Sequence, residues 1–284
     1  PNRLAQGFKR KVSTTIGVVM PKIEYYLYAR CISGIEEVAN QRGYNLLICQ
    51  TSESYEKEVS HFQNLLAYRT AGILVSPGSE TVDYAHYMQA MAEVPLIFFN
   101  RECKEINAPK VIIDNYNAAY HATEYLLKKG CQNIAFLAGP ETVQISNRRI
   151  SGYKDALIFN GKIFNRENVL YNSFNLDSIF EKSLIFLKKA NVDGLVCYSD
   201  QIAIQAIKAI KNIEKNIPGD IKVIGFNNEP VDELMNPSLT SIHQPAFEMG
   251  RKAAELLFAQ LDGKINQYNK TVILQSELME RGSA

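Results

Sequence analysis

Short apolar runs alternate with longer stretches of helical periodicity along almost the whole chain, and this rhythm restricts the fold more than any other feature. TTIGVVM (14–20) precedes a helical pattern from about Tyr26 to Arg42, in which Ile32, Ile35, Val38 and Ala39 share one face and Gly43 supplies a left-handed stop. YNLLIC (44–49), GILVS (72–76) and PLIFF (95–99) follow, and NIAFLAG (133–139), DGLVCYS (193–199) and IKVIGF (221–226) repeat the theme in the second half. Apolar strands that do not alternate with polar residues are buried on both faces, as in a parallel sheet covered by crossover helices. The expected class is therefore α/β, with two doubly wound parallel-sheet lobes, because 284 residues exceed what one small core organises. The first boundary is expected near VIIDNYN (111–117), and residues 239–263 read as a strand and a long amphipathic helix, followed by VILQSELMERGS (272–283).

Several classes of function lack their chemistry here. The sequence has no GxGxxG, GxxxxGK[ST] or GxSxG, and His61, His86, His121 and His243 lie far apart without metal-ligand spacing. The reading is thus not an enzyme, with no cofactor and no metal. Cys31, Cys49, Cys103, Cys131 and Cys197 show no CxxC pair and sit mostly in apolar runs, which suits reduced core thiols of a cytoplasmic protein. No apolar run approaches the ~18 residues of a membrane span, and no signal peptide is visible.

In open α/β sheets, ligands bind beyond the carboxyl ends of the strands. The residues there are mostly neutral hydrogen-bonding groups: Ser76 after GILV, Asn100 and Arg101 after PLIFF, Ser199 and Asp200 after GLVCY, Asn227 and Asn228 after VIGF, and Gln244 after LTSIH. Such a set suits a polyhydroxylated ligand, a sugar above all. The same residue types also serve as helix caps and turns, so each position carries both readings.

The N-terminus adds a second signal. Asn2 can cap a short helix carrying Leu4, Ala5 and Phe8, and Arg3, Lys9, Arg10 and Lys11 place four positive charges in the first eleven residues with no acid among them. A solvated basic tail would show the same cluster. A helix of this kind followed directly by TTIGVVM resembles the hinge and first sheet strand of lactose-repressor-family transcription factors, and the resemblance spans nearly the whole chain. It implies a periplasmic-binding-protein type I-like core that senses a small-molecule effector, with the DNA-reading head removed. Asn2, Arg3, Ala5 and Phe8 then belong to a DNA-binding hinge, in which Phe8 takes the place of the leucine that wedges between base steps.

The resemblance also implies three crossings of the chain between lobes. Residues 1–13 become a hinge remnant, 14–114 plus 245–274 the N-terminal lobe, and 115–244 plus 275–284 the C-terminal lobe. IEYYLYARCISGIEEVANQRGYNLLI (23–48) places Leu27 and Tyr28 at the cleft, and FLAGPETVQISNRRISGYKDAL (136–157) places Arg149, three residues before Gly152, against the effector. Phe174 falls where the family stacks an aromatic ring on its ligand. Departures from the family pattern at Asn100, Ser199 and Asn227–Asn228 remove negative charge or shorten a side chain. They disfavour a cationic effector and admit a sugar acid paired with Arg149. The implied partners are an effector, operator DNA and a second copy of the chain in a homodimer, with no membrane. Phe62, Leu65, Leu66 and Tyr87 offer an apolar stripe for the dimer, or else core packing. The alternative with the same fold is a periplasmic sugar-binding protein of a transporter.

Overall fold

A computed structural model of the protein describes residues 13–264 and 270–284. The hinge residues Asn2, Arg3, Ala5 and Phe8 therefore lie outside the described residues. In chain order the elements of the first half are β1 (Thr15–Met20), α1 (Tyr26–Gln41), β2 (Asn45–Gln50), α2 (Tyr55–Ala67), β3 (Gly72–Val75), α3 (Ala85–Glu93), β4 (Leu96–Phe99) and β5 (Lys110–Ile113). The second half continues with α4 (Asn115–Lys128), β6 (Ile134–Ala138), α5 (Gln144–Phe159), β7 (Val169–Tyr171), α6 (Leu176–Lys189), β8 (Gly194–Cys197), α7 (Asp200–Asn212) and β9 (Lys222–Asn227). It closes with α8 (Val231–Leu234), β10 (Thr240–His243), α9 (Ala246–Leu261), β11 (Thr271–Leu274) and β12 (Glu277–Met279).

These elements form two units, Pro1–Ile113 with Pro245–Leu274, and Asp114–Gln244 with Gln275–Ala284. The first sheet runs β11-β5-β4-β3-β1-β2 and the second β12-β10-β9-β8-β6-β7, parallel throughout except where β12 meets β10. Both are doubly wound α/β sheets, as the apolar rhythm anticipates. The short strands β5, β7, β11 and β12 are additional to that reading.

The period of two along each strand divides the core into layers. In the first unit Ile16, Val18 and Met20 of β1 face α1 and α9, while Val19 faces the side packed by α2 and α3. The second unit repeats this, with Ala135 and Leu137 of β6 on the α6–α7 side and Ile134, Phe136 and Ala138 on the α4–α5 side. Phe62, Leu65 and Tyr87 are buried in the first core, so they pack β1, β3 and β4 and offer no surface for a dimer; Leu66 packs partly buried against the same cluster.

Close helix pairs fix each unit. A Cβ added at Gly34 of α1 would stand 2.0 Å from the Phe247 carbonyl oxygen of α9, and one at Gly250 of α9 would stand 1.9 Å from the Cys31 carbonyl oxygen. The equivalent contact in the second unit is Gly152 of α5 against the Tyr116 carbonyl of α4, at 2.1 Å. Cys31, Cys103, Cys131 and Cys197 are buried, with Cys49 intermediate, and burial pushes the Cys131 thiol up to about 11.

Local signals start several helices. The Ser54 hydroxyl accepts from the Lys57 amide at 3.3 Å, Asp114 from Asn117 at 3.0 Å and Asn175 from Ser178 at 2.9 Å. Ser54→Ala is expected to cost about 1 kcal/mol, read as a lower midpoint in urea with an unchanged slope.

Candidate functional site

A doubly wound sheet opens a crevice where successive strands depart in opposite directions from a central one, because the loops there diverge. In the first sheet that point lies between β1 and β3, and in the second between β6 and β8. Each unit bridges its own switch point with a side chain from the helix that follows the first of the two strands.

In the first unit the bridge is Tyr28, from the first turn of α1. Its hydroxyl lies 3.0 Å from the Ser76 hydroxyl, directly after β3, and accepts from Asn100 Nδ2 at 3.2 Å, directly after β4. Three residues expected from the sequence thus form one polar group, all buried. Asn100 holds φ at 61°, a left-handed conformation that asparagine tolerates better than most residues and that turns its amide toward Tyr28. Leu27 sits beside them but packs into the apolar core with Ile16, Leu74 and Phe99.

Two buried carboxylates pin the loop after β3. The Arg101 guanidinium donates a fork to Glu53 at 2.7 and 3.0 Å and a third bond to the Pro77 carbonyl at 3.0 Å, while Glu53 also accepts from the Ser79 amide. Glu58, fully buried, accepts from the Gly78 amide at 2.8 Å, from Thr81 Oγ at 3.0 Å, from His86 Nε2 at 3.0 Å and from the Tyr87 hydroxyl. Carboxylates satisfied this fully rigidify the loop that carries Ser76. Sequence reading missed Glu53 and Glu58, which lie in polar stretches with no local sign of burial.

In the second unit the bridge is Arg149 of α5. Its Nε donates to Asn115 Oδ1 at 2.9 Å, and Nη1 donates to the Tyr198 carbonyl just after β8. The guanidinium carbon lies 3.9 Å from the Phe226 ring centroid and 4.9 Å from that of Tyr198, two cation–aromatic contacts. Burial pushes Arg149 down to about 10, still protonated at neutral pH. Both acceptors are neutral oxygens, so a positive charge sits buried at the strand ends. Phe174 approaches Tyr198 with ring centroids 6.1 Å apart.

Ser199 caps α7, its oxygen accepting from the Ile202 amide at 3.3 Å, which leaves its O–H able to donate outward. Asn227 Oδ1 accepts from Gln244 Nε2 at 2.7 Å, which joins the ends of β9 and β10. Asn115 and Tyr198 are the functional candidates that sequence reading passed over. Asn115 follows β5 by two positions and Tyr198 immediately precedes Ser199, so both stand at strand ends.

The helices that follow the switch-point strands share one more property. Tyr25 precedes α1 and Val143 precedes α5 as N-cap residues, and neither makes a side-chain cap hydrogen bond. Helix N-termini without a cap present amide donors to an acceptor from elsewhere. The arrangement in each unit is therefore amides, hydroxyls and aromatic faces around a crevice, with one guanidinium. Among the described residues no three His, Cys, Asp or Glu side chains are grouped to hold a metal ion, and no helix is long and apolar enough to cross a membrane.

Comparison with known proteins bears on this geometry. Residues 123–284 match the family model described as a periplasmic binding protein-like domain. The chain is 30% identical over 265 residues to the ribose operon repressor of Halalkalibacterium halodurans, covering 93% of this chain and 78% of that protein. A solved complex of the transcriptional regulator CelR with cellobiose superposes with a TM-score of 0.89 at 25% identity, covering 99% of this chain and 89% of that one. A periplasmic binding protein/LacI transcriptional regulator from Alkaliphilus metalliredigens, solved with D-xylulofuranose, gives 0.82 at 28% identity, covering 95% and 99%.

Proposed function

Since the chain belongs to the lactose-repressor family of ligand-responsive transcriptional regulators, we propose that its effector is a sugar or sugar acid held by the strand-end groups of both units, and that binding controls how a homodimer engages operator DNA in the cytoplasm. The relatives are regulators of transcription, which favours this reading over a transporter's binding protein. The observation that carries the ligand class is the bridging of both switch points by polar side chains, Tyr28 to Ser76 and Arg149 to the Tyr198 carbonyl.

Leu27 and Tyr28, Ser76 and Asn100 contribute from the first unit, and Arg149, Phe174, Ser199, Asn227 and Gln244 from the second. Neutral amides and hydroxyls pair with sugar hydroxyls, and the aromatic faces take the apolar side of the ring. Arg149 supplies a rigid fork for ring oxygens or a carboxylate. The two relatives solved with sugars support the class. Asn2, Arg3, Ala5 and Phe8 form the hinge contact with DNA, by charge and by the Phe8 wedge. Effector contact with both units favours one of their relative arrangements and so shifts the population of DNA-competent dimer.

The test is the mobility of promoter DNA with the full-length protein, DNA-reading head included, in the presence of D-ribose, cellobiose, D-xylulose and D-glucuronate. At least one is expected to change DNA affinity; no change with any of them speaks against the reading. Phe174→Ala is expected to weaken the active sugar about fivefold, measured by calorimetry, since lost ring stacking is worth about 1 kcal/mol.

A further inference from the structure

Beneath the Asn227–Glu229 turn of the second unit lies a pair of carboxyl groups that the effector reading does not use. Asp200 opens α7 and is fully buried, with Oδ1 accepting from Ser241 Oγ at 2.6 Å and Oδ2 accepting from the Glu229 amide at 3.1 Å. Ser241 Oγ in turn accepts from the Asn228 amide at 3.0 Å. Asp200 therefore holds two successive amides of the turn, one directly and one through Ser241. The turn needs holding, because Asn227 and Asn228 stand at φ 119° and 57°, in the left-handed half of conformational space.

Asp232, in α8, is also fully buried, and neither of its oxygens receives a donor from a neutral or cationic group. Asp232 belongs to the same turn, its amide donating to the Glu229 carbonyl at 3.0 Å, and its charge acts on Asp200. Two ionised carboxylates are acceptors only and repel each other, so a buried carboxyl without a donor beside a second one favours keeping a proton. Space is closed on the sheet side, where a Cβ at Gly225 would stand 2.1 Å from Asp200 Oδ1.

The charged and titratable groups around the pair come from every neighbouring element. Glu229 and Glu233 lie on its own segment, Cys197 on β8, Arg149 on α5, His243 at the end of β10 and Arg281 on the C-terminal segment. Arg281 already donates to Asn228 Oδ1 at 2.6 Å, to Glu233 at 2.9 Å and to the Leu239 carbonyl at 2.9 Å.

We propose that Asp200 and Asp232 share a proton and act as positioning residues for the Asn227–Glu229 turn, so that the turn loosens as pH rises and the pair becomes fully ionised. The consequence for effector affinity rests on the reading of Ser199 and Asn227 as effector contacts. Burial, and for Asp200 the neighbouring charge of Asp232, raises both carboxyls well above the usual carboxylate range, Asp232 to about 6. The sign follows from linkage: the folded state holds protons that the unfolded chain releases near pH ~4, so the pair's stabilisation is complete below that range. It is lost as pH rises through about 6.

The experiment compares the whole chain with Asp232→Asn, in which the amide donates to Asp200 without a second acid. Melting temperature and hydrogen exchange of the Asn228 and Glu229 amides are followed from pH 5 to 8, with no ligand present. The unmodified chain is expected to lose at least about 2 °C more than Asp232→Asn over this range, and its Glu229 amide exchange to accelerate on the order of tenfold more. Parallel pH profiles in the two proteins overturn the proposal. If Asp232→Asn does not fold, Asp232→Ala serves, with the same two outcomes. Both readouts are independent of effector, so a protein that binds no sugar refutes the effector reading while the pair's titration remains measurable.

Discussion

Replacing Arg149 with alanine is expected to weaken effector binding on the order of 100-fold and to lower the melting temperature of the free protein. The affinity loss follows from the guanidinium's position at the second switch point, where it is buried and bonded to the neutral Asn115 Oδ1 and Tyr198 carbonyl oxygens. A charged hydrogen bond to an effector oxygen contributes about 1.5–3 kcal/mol, and the loss of one such bond accounts for a change of this size. The stability loss has a separate origin. Truncation leaves the Tyr198 carbonyl without its donor and empties the space against the Phe226 ring, now filled at 3.9 Å. Arg149→Lys separates the two effects, because it keeps charge and most of the volume but not the planar fork. It is expected to bind nearly as poorly as Arg149→Ala while melting closer to the unmodified chain. Calorimetric titration and thermal denaturation of the three proteins measure both.

The second large effect concerns Gly250. Gly250→Ala is expected to destabilise the first unit by about 3 kcal/mol or more, because the new methyl would meet the Cys31 carbonyl oxygen at 1.9 Å. The neighbour is backbone inside a helix, so no rotamer change relieves the contact, and α1 and α9 must separate. Their separation also disturbs Leu27 and Tyr28, which α1 carries, and opens the layer formed by Ile35, Ala253 and Leu257. A surface helix would show the opposite sign, since alanine exceeds glycine in helix propensity by about 1 kcal/mol. Urea denaturation distinguishes them by direction alone. Gly34→Ala on the facing helix is expected to behave alike, with its methyl 2.0 Å from the Phe247 carbonyl oxygen.

The legible parts of this molecule are those with local causes. β1, β3, β4, β6, β8 and β9 are buried on both faces, which writes them as unbroken apolar runs. β7 is three residues at a sheet edge, each only half-buried, and VLY carries no such run. β5 was hidden for a related reason: KVII is short and continues into the polar DNYN that suggests a boundary. Ser76, Asn100, Asn227 and Gln244 were legible as polar residues after strands, but their pairing was not. Tyr28 meets Ser76 across 48 positions, and Arg149 meets Tyr198 across 49, through helix orientations that sequence does not specify. Glu53 in SES and Asp232 in VDEL look like solvated acids, yet a distant arginine buries one and a second aspartate accompanies the other.

The central claim, that one effector uses the strand ends of both units, is tested most directly by calorimetric titration of four proteins with whichever of D-ribose, cellobiose, D-xylulose and D-glucuronate binds the unmodified chain. The other three are Ser76→Ala from the first unit, and Arg149→Ala and Asn227→Ala from the second. The account predicts one saturable site per chain, weakened by each substitution and most by Arg149→Ala. Binding by none of the four probes, or binding that the substitutions in one unit leave untouched, contradicts it.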